Sequence, residues 1–157
     1  MIFGPHLPSW TQRHNPSPPK IKEIQMLQEL KAIAAHAEVA ATGMGLTVVV
    51  SIVDVHGNPA LLHRMTGAPM HSLEMAFRKA YTAATFATAT EELTEKVQPG
   101  GPLFGLAVNS GSKLIGFGGG APFVVSSGER FGLGISGGTT EEDIKIMWAA
   151  IAQHCSN

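Results

Sequence analysis

The sequence predicts a single α+β domain, an antiparallel sheet of about five strands flanked by helices. Three segments carry apolar residues at helical spacing, one near each end and one in the middle. Short β-branched runs lie between them, bounded by glycine and turn residues. Only the stretch from Met65 to Lys113 leaves room for a full helical crossover. The other strands follow one another through short links, which favours antiparallel pairing. A chain of 157 residues can bury one core without disulfide or metal staples.

Residues 1–19 stand apart from the domain, which is expected over 20–157. They hold five of the ten prolines, with Phe3, Leu7 and Trp10 between them. Proline excludes helix and central strand. Two readings stay open: an extended arm packed on its own domain or on a neighbouring subunit, and a solvated tail.

The first helix is expected over about Lys20–Ala41. Ile21, Ile24, Leu27, Leu30, Ile33, Ala34 and Ala37 mark its apolar face. Pro18 and Pro19 suit its entrance, and Gly43 and Gly45 its exit. Leu46–Val53 reads as a buried strand, Asp54–Asn58 as a turn and Ala60–Met65 as the returning strand of a hairpin. Ser72 can cap a second helix over Leu73–Ala87, whose face of Leu73, Ala76, Phe77, Ala80, Ala83 and Ala84 allows close approach to a sheet. A short helical turn is expected within Thr90–Val97. Residues 100–138 hold thirteen of the eighteen glycines. Within them Lys113–Phe117, Pro122–Ser126 and Arg130–Ile135 read as strands, the last two joined at Ser127-Gly128. Thr139 and Glu142 fit a capping box for a last helix, Glu141–Gln153, expected to bury Ile144, Met147, Trp148 and Ile151.

Composition narrows the function. The net charge is −1 and no run of Lys or Arg occurs, which argues against a nucleic-acid partner. The longest uncharged apolar stretch is far short of the ~20 residues that span a membrane. No basic-then-apolar leader is present at the N-terminus. The single cysteine, Cys155, allows neither an intrachain disulfide nor a multi-cysteine zinc site. A cytoplasmic protein with no structural metal is expected. Charged residues make up 15%, against the usual ~25%. Either other subunits cover part of the surface, or the surface is rich in Gly, Ala and Thr.

Several residue groups can carry chemistry. Gly118, Gly119 and Gly120, and the run ending Ser136-Gly137-Gly138, let backbone approach a ligand, or simply form tight turns and subunit packing. Neither cluster ends in a Walker lysine or makes a dinucleotide fingerprint. His63 and Met65 share one face of a strand and Arg64 takes the other. His and Met are haem-ligand types, and Arg64 suits an anion; a plain hydrogen-bonded histidine is the alternative. His71 precedes the second helix and His56 sits in a turn. Lys79 is flanked by Ala76, Ala80 and Ala83, so it points into a pocket as a base or nucleophile, or lies along apolar surface. Met65, Met70 and Met75 offer an adaptable wall for a flat ligand, or ordinary core filling.

Taken together, five groups of residues resemble one family. They are Ser51-Ile52-Val53-Asp54 with Gly57-Asn58, Leu62-His63-Arg64-Met65 and Gly67-Ala68; Ser72 with Lys79-Ala80-Tyr81-Thr82-Ala83-Ala84; Pro102-Leu103-Phe104-Gly105-Leu106; Gly118-Gly119-Gly120-Ala121-Pro122; and Gly134-Ile135-Ser136-Gly137-Gly138-Thr139. The set resembles the GlcG/HbpS-like (DUF336) heme-binding uptake family over about residues 25–153, with residues 1–19 outside the common pattern. The resemblance implies a profilin-like α+β fold and assembly into dimers and commonly octamers. It also implies divergent functions: heme binding, as in the C-terminal domain of PduO-type corrinoid adenosyltransferases; catabolic companion proteins; and lyases of the 4-hydroxylaminobenzoate type, which release ammonia to leave a catechol.

The leading expectation is such a lyase acting on a small aromatic acid, with bound FMN. Arg64 would hold a carboxylate or phosphate, and Lys79, His63 or Tyr81 would move protons. The ring would stack on Met65, Phe104 or Phe117, beside the backbone of Gly118–Gly120 and Ser136–Gly138. The alternative is a heme-binding module at a subunit interface, with His63 or His71 as axial ligand. A third reading is a structural companion with no chemistry of its own. The choice between FMN and heme stays open.

Overall fold

The structure, a computed structural model, describes residues 20–156. The expected N-terminal arm, residues 1–19, lies outside the described residues. The elements are α1 (Ile21–Gly43), β1 (Val49–Asp54), β2 (Pro59–Arg64), α2 (Ser72–Phe86), α3 (Leu106–Asn109), β3 (Gly120–Val124), β4 (Arg130–Ser136) and α4 (Thr140–Cys155). Two 3-10 turns, Thr90–Leu93 and Glu95–Val97, follow α2.

The four strands form one sheet in the order β2-β1-β4-β3, and every pair is antiparallel. Side chains alternate across it. Val50, Ile52, Leu133 and Ile135 point to one face and join Leu30 and Ile33 of α1 and Ile146 and Met147 of α4 in the main core. Val49 and Val53 point to the other face, where they meet Ala76, Ala80 and Ala84 of α2. The α+β class and the single domain follow as expected.

Four details differ from expectation. Lys113–Phe117 is not a fifth strand. Two of its amides are satisfied by side chains: Leu114 N donates to Ser110 Oγ (3.1 Å) and Ile115 N to Thr82 Oγ1 (3.0 Å). The segment is therefore pinned to α2 rather than to a ladder. Ser72 does not cap α2; it lies inside the helix, and its buried hydroxyl has no hydrogen-bond partner among the described residues. Along α4 the buried residues are Asp143, Ile146, Met147 and Ala150, so of the four expected there only Met147 is fully buried. The helix is turned because Asp143 must face inward, as described below. Trp148 is half-exposed and donates from Nε1 to Glu91 Oε1 at 2.9 Å. On α1, burial begins only at Leu30, and Ile21, Ile24 and Leu27 remain exposed.

The capping box at Thr139 forms as read. Glu142 N donates to Thr139 Oγ1 (3.2 Å) and Thr139 N to Glu142 Oε2 (2.8 Å).

Candidate functional site

Strand β4 alternates glycine with large apolar residues, and that pattern sets the distance to α2. A Cβ on Gly134 would lie 2.1 Å from the Ala76 carbonyl oxygen, and one on Gly132 would lie 2.1 Å from that of Ala80. Helix and sheet thus touch backbone to backbone. This close seat carries Lys79 through the layer. The lysine is 1% exposed, and its Nζ donates to Asp143 Oδ2 at 2.6 Å and to the Ile135 carbonyl at 2.9 Å. Asp143 Oδ1 accepts from Gly138 N at 3.0 Å. Burial pushes the Lys79 ammonium down from its ordinary range, and the Asp143 charge opposes it. Burial likewise pushes the Asp143 carboxyl up, against the pull of Lys79. Both side chains of the pair are thus hydrogen-bonded within the fold. Asp143, one of three acids in the first turn of α4, is not among the site residues expected from the sequence. A desolvated lysine without a nearby acid was the available signal.

The Phe117 ring lies over Lys79, with Nζ 5.2 Å from its centroid. Its other surroundings form a cleft of about 450 Å³ whose walls include Val97, Phe104, Leu106, Val108 and Ile115. Phe104 and Phe117 are both substantially exposed there. The structure therefore joins Lys79, Phe104 and Phe117 of the expected site, with Gly118–Gly120 at its back. Those glycines are filled from behind: a Cβ would meet Ile144 at Gly118, Lys79 Nζ at Gly119 and the Lys79 carbonyl at Gly120. Gly137 and Gly138 lie equally close to Thr47 and Glu142, and Ser136 is buried at the end of β4.

The remaining expected residues lie elsewhere. Arg64 turns its fork onto its own chain, with both Nε (2.9 Å) and Nη2 donating to the Ala68 carbonyl. His63 points to the opposite face, where Nδ1 pairs with Glu38 Oε1 at 2.5 Å. Met65 also lies on that side, its sulfur accepting from Val48 N. Tyr81 packs near Phe77, with centroids 6.1 Å apart, and rests on Gly57. There a positive φ and the bare Cα are both required. His71 is exposed just ahead of α2.

A second groove, about 590 Å³, runs between α1, the end of β3 and the end of α4. It is lined by Ala32, His36, Val124, His154 and Cys155, with Glu29 at its side. His154 Nε2 lies 3.1 Å from Glu29 Oε1. His36 differs: its Nδ1 is buried with no hydrogen-bond partner among the described residues. A buried polar atom left unpaired in this way calls for a ligand or another explanation. Sequence reading passed over His36 because it sits among alanines on an ordinary helix. Among the described residues no three His, Cys, Asp or Glu side chains converge as for a bound metal ion, and no helix is long and apolar enough to cross a membrane.

Comparison with known proteins places these features in context. Residues 26–152 match the family model described as haem degrading protein HbpS-like. The corrinoid adenosyltransferase PduO of Citrobacter freundii is 42% identical over 125 residues, which is 80% of this chain and 37% of that protein. The chain thus spans about two-fifths of the adenosyltransferases it matches. A solved complex of PduOC with heme is also 42% identical; the match covers 80% of this chain and 91% of that one, with a TM-score of 0.75. The Klebsiella pneumoniae protein ORFY is 34% identical over 83% of this chain and 90% of that one, with a TM-score of 0.78.

Proposed function

This chain belongs to the HbpS-like family, and we propose that it binds heme or a closely related planar tetrapyrrole. The observation that carries the reading is the 42% identity, over nine-tenths of its length, to a domain solved with heme. This support favours the heme-binding expectation over the FMN-dependent lyase.

The residues present fit the group best in the groove between α1 and α4. Iron in heme takes histidine or cysteine as axial ligands, and His36, His154 and Cys155 line that groove. His154 is held by Glu29, which leaves the His36 ring as the ligand. Ala32 and Val124 supply apolar wall. Among the described residues, the Phe104–Phe117 cleft has aromatic walls but no histidine, cysteine or methionine in its lining. His63, tied to Glu38, and His71, exposed, are weaker ligands on these grounds. When bound, heme supplies a redox-active iron and a flat apolar face. The chain's part is to offer the His36 lone pair and to shield one side of the ring. A second copy, as the resemblance implies, closes the open side.

The test is titration with hemin, followed by the Soret band. The expected Kd is about 1 μM or tighter, roughly −8 kcal/mol. His36→Ala should weaken binding at least about tenfold, a loss of ~1.4 kcal/mol, while His63→Ala and His71→Ala leave it unchanged. No Soret shift in the parent protein would sink the reading. Tight FMN uptake, with ammonia released from a hydroxylamino-aromatic acid, would restore the lyase reading.

A further inference from the structure

We propose that the tetrapyrrole site is bipartite: a ring centred on His36 rests half in the groove toward Ala32 and half in a second hollow toward Val39 and Ala149. The inference rests on the heme reading above and adds the residues that fix the footprint of the ring. It begins from the run of α1 against α4. The groove already described is lined on α1 by Glu29, Ala32 and His36, and on α4 by His154 and Cys155. A second hollow, about 250 Å³, is lined on α1 by His36, Val39 and Ala40, and on α4 by Ala149 and Gln153. Moving up α1 thus moves down α4, so the two depressions follow one another along the same seam. His36 belongs to both.

The shape of the ligand makes both hollows necessary. Heme iron sits at the centre of its macrocycle, so a ring held by one axial side chain extends on every side of that side chain. A hollow on one flank of His36 would seat only half of it. Ala32 and Ala40 stand one turn to either side of His36, and the rise between them is ~12 Å, comparable to the width of a porphyrin core. The side chains suit a flat guest. Ala32, Ala40 and Ala149 are small and leave the seam open on both flanks. Val39 is a large apolar side chain left 72% exposed, and covering it favours binding. The buried, unpaired Nδ1 of His36 lies at the midpoint, and it is the atom that calls for a ligand here. The alanines on the two flanks therefore set how far the ring can settle.

The test is titration of the full chain and its variants with hemin, read by the Soret band, with the far-UV spectrum as a check on folding. Ala32, Ala35 and Ala149 are all exposed, so a larger side chain at any of them projects from the surface rather than into the core. Ala32→Phe and Ala149→Phe, one in each hollow, should each weaken hemin binding about tenfold or more. Ala35→Phe, on the β2 side of the same helix, should leave it unchanged. Should Ala149→Phe misfold, Val39→Glu places a charge in the same hollow from α1 and should weaken binding to a similar degree. The proposal is overturned if Ala149→Phe or Val39→Glu, correctly folded, binds hemin as the parent does, which would confine the ring to the first groove or place it elsewhere. It is overturned if Ala35→Phe weakens binding as much as Ala149→Phe. Both of those outcomes leave the heme reading standing. A parent protein that takes up no hemin sinks that reading, and this inference with it.

Discussion

On the face covered by α1 and α4, strand β4 presents Leu133 and Ile135, which interlock with Val50, Ile52, Ile146 and Met147. On the face covered by α2, the same strand presents Gly132 and Gly134, and helix backbone sits directly on sheet backbone. The first contact is made by side chains that have rotamers to spare. The second is made by main chain that has none. An added or lost methyl is therefore absorbed differently on the two faces. The α2 face also carries the polar load. It carries Lys79, which reaches Asp143 of α4, and the hydroxyls of Ser51 and Ser72, which have no hydrogen-bond partner among the described residues. Polar groups buried in such a layer must satisfy one another or stay orphaned.

The largest expected effect sits in that polar layer. Asp143→Asn leaves the Lys79 ammonium buried with no counter-charge and should cost about 3–5 kcal/mol in urea unfolding. The double change Lys79→Met with Asp143→Leu should return stability to within about 1 kcal/mol of the parent or above it. If the single and the double variants lose stability equally, the pair is not what holds α2 and α4 together. Next comes the difference between the faces themselves. Gly134→Ala pushes a methyl into the Ala76 carbonyl and should cost about 3 kcal/mol, at the upper end for overpacking. Ile135→Val, one residue on and facing α1 and α4, should cost about 1 kcal/mol. Equal losses would erase the distinction drawn here.

The smallest effect lies outside both layers, in the β1–β2 turn, and serves as the control. Burial acts to raise the Asp54 carboxyl, but hydrogen bonds from Asn58 and from the His56 amide outweigh it and hold the group below its ordinary 3.8. A depressed folded value means stability that is fully present above pH 3.8 and lost as pH falls through the lower folded value. Asp54→Asn should cost about 1 kcal/mol at neutral pH, and the gap to the parent should close in acid. A gap that stays constant down to strong acid would show that the carboxylate charge contributes nothing.

How much of this was legible depends on whether a signal was local. Helical spacing, the hairpin at Asp54–Asn58 and the box at Thr139–Glu142 are local, and each formed where the sequence put it. The segment 113–117 carries strand-like residues, yet Thr82 of α2 takes the Ile115 amide, a partner more than thirty residues away. The rotation of α4 has the same origin, since Asp143 answers to Lys79 across the fold. The expected site was split for a like reason. Alternation along β2 correctly sends His63 and Arg64 to opposite faces. Nothing local shows that the Arg64 fork closes on Ala68, or that Phe104 and Phe117 converge while Met65 stays in the core. His36 carried no sequence signal at all, because an unpaired ring nitrogen is visible only once its neighbours are placed.

The strand order has a consequence for how the chain acquires its shape. β1 with β2, and β3 with β4, are hairpins whose partners lie close in sequence. The central pairing of β1 with β4 joins residues such as Val49 and Ser136, more than seventy positions apart. Hairpins of this size close in microseconds, whereas a seam of such span must first gather the intervening chain and so sets the folding rate. The two halves of the sheet are thus ready before they meet. Changes at the Ser51–Gly134 or Ile52–Leu133 pairs should slow folding, and changes within either hairpin turn should chiefly hasten unfolding.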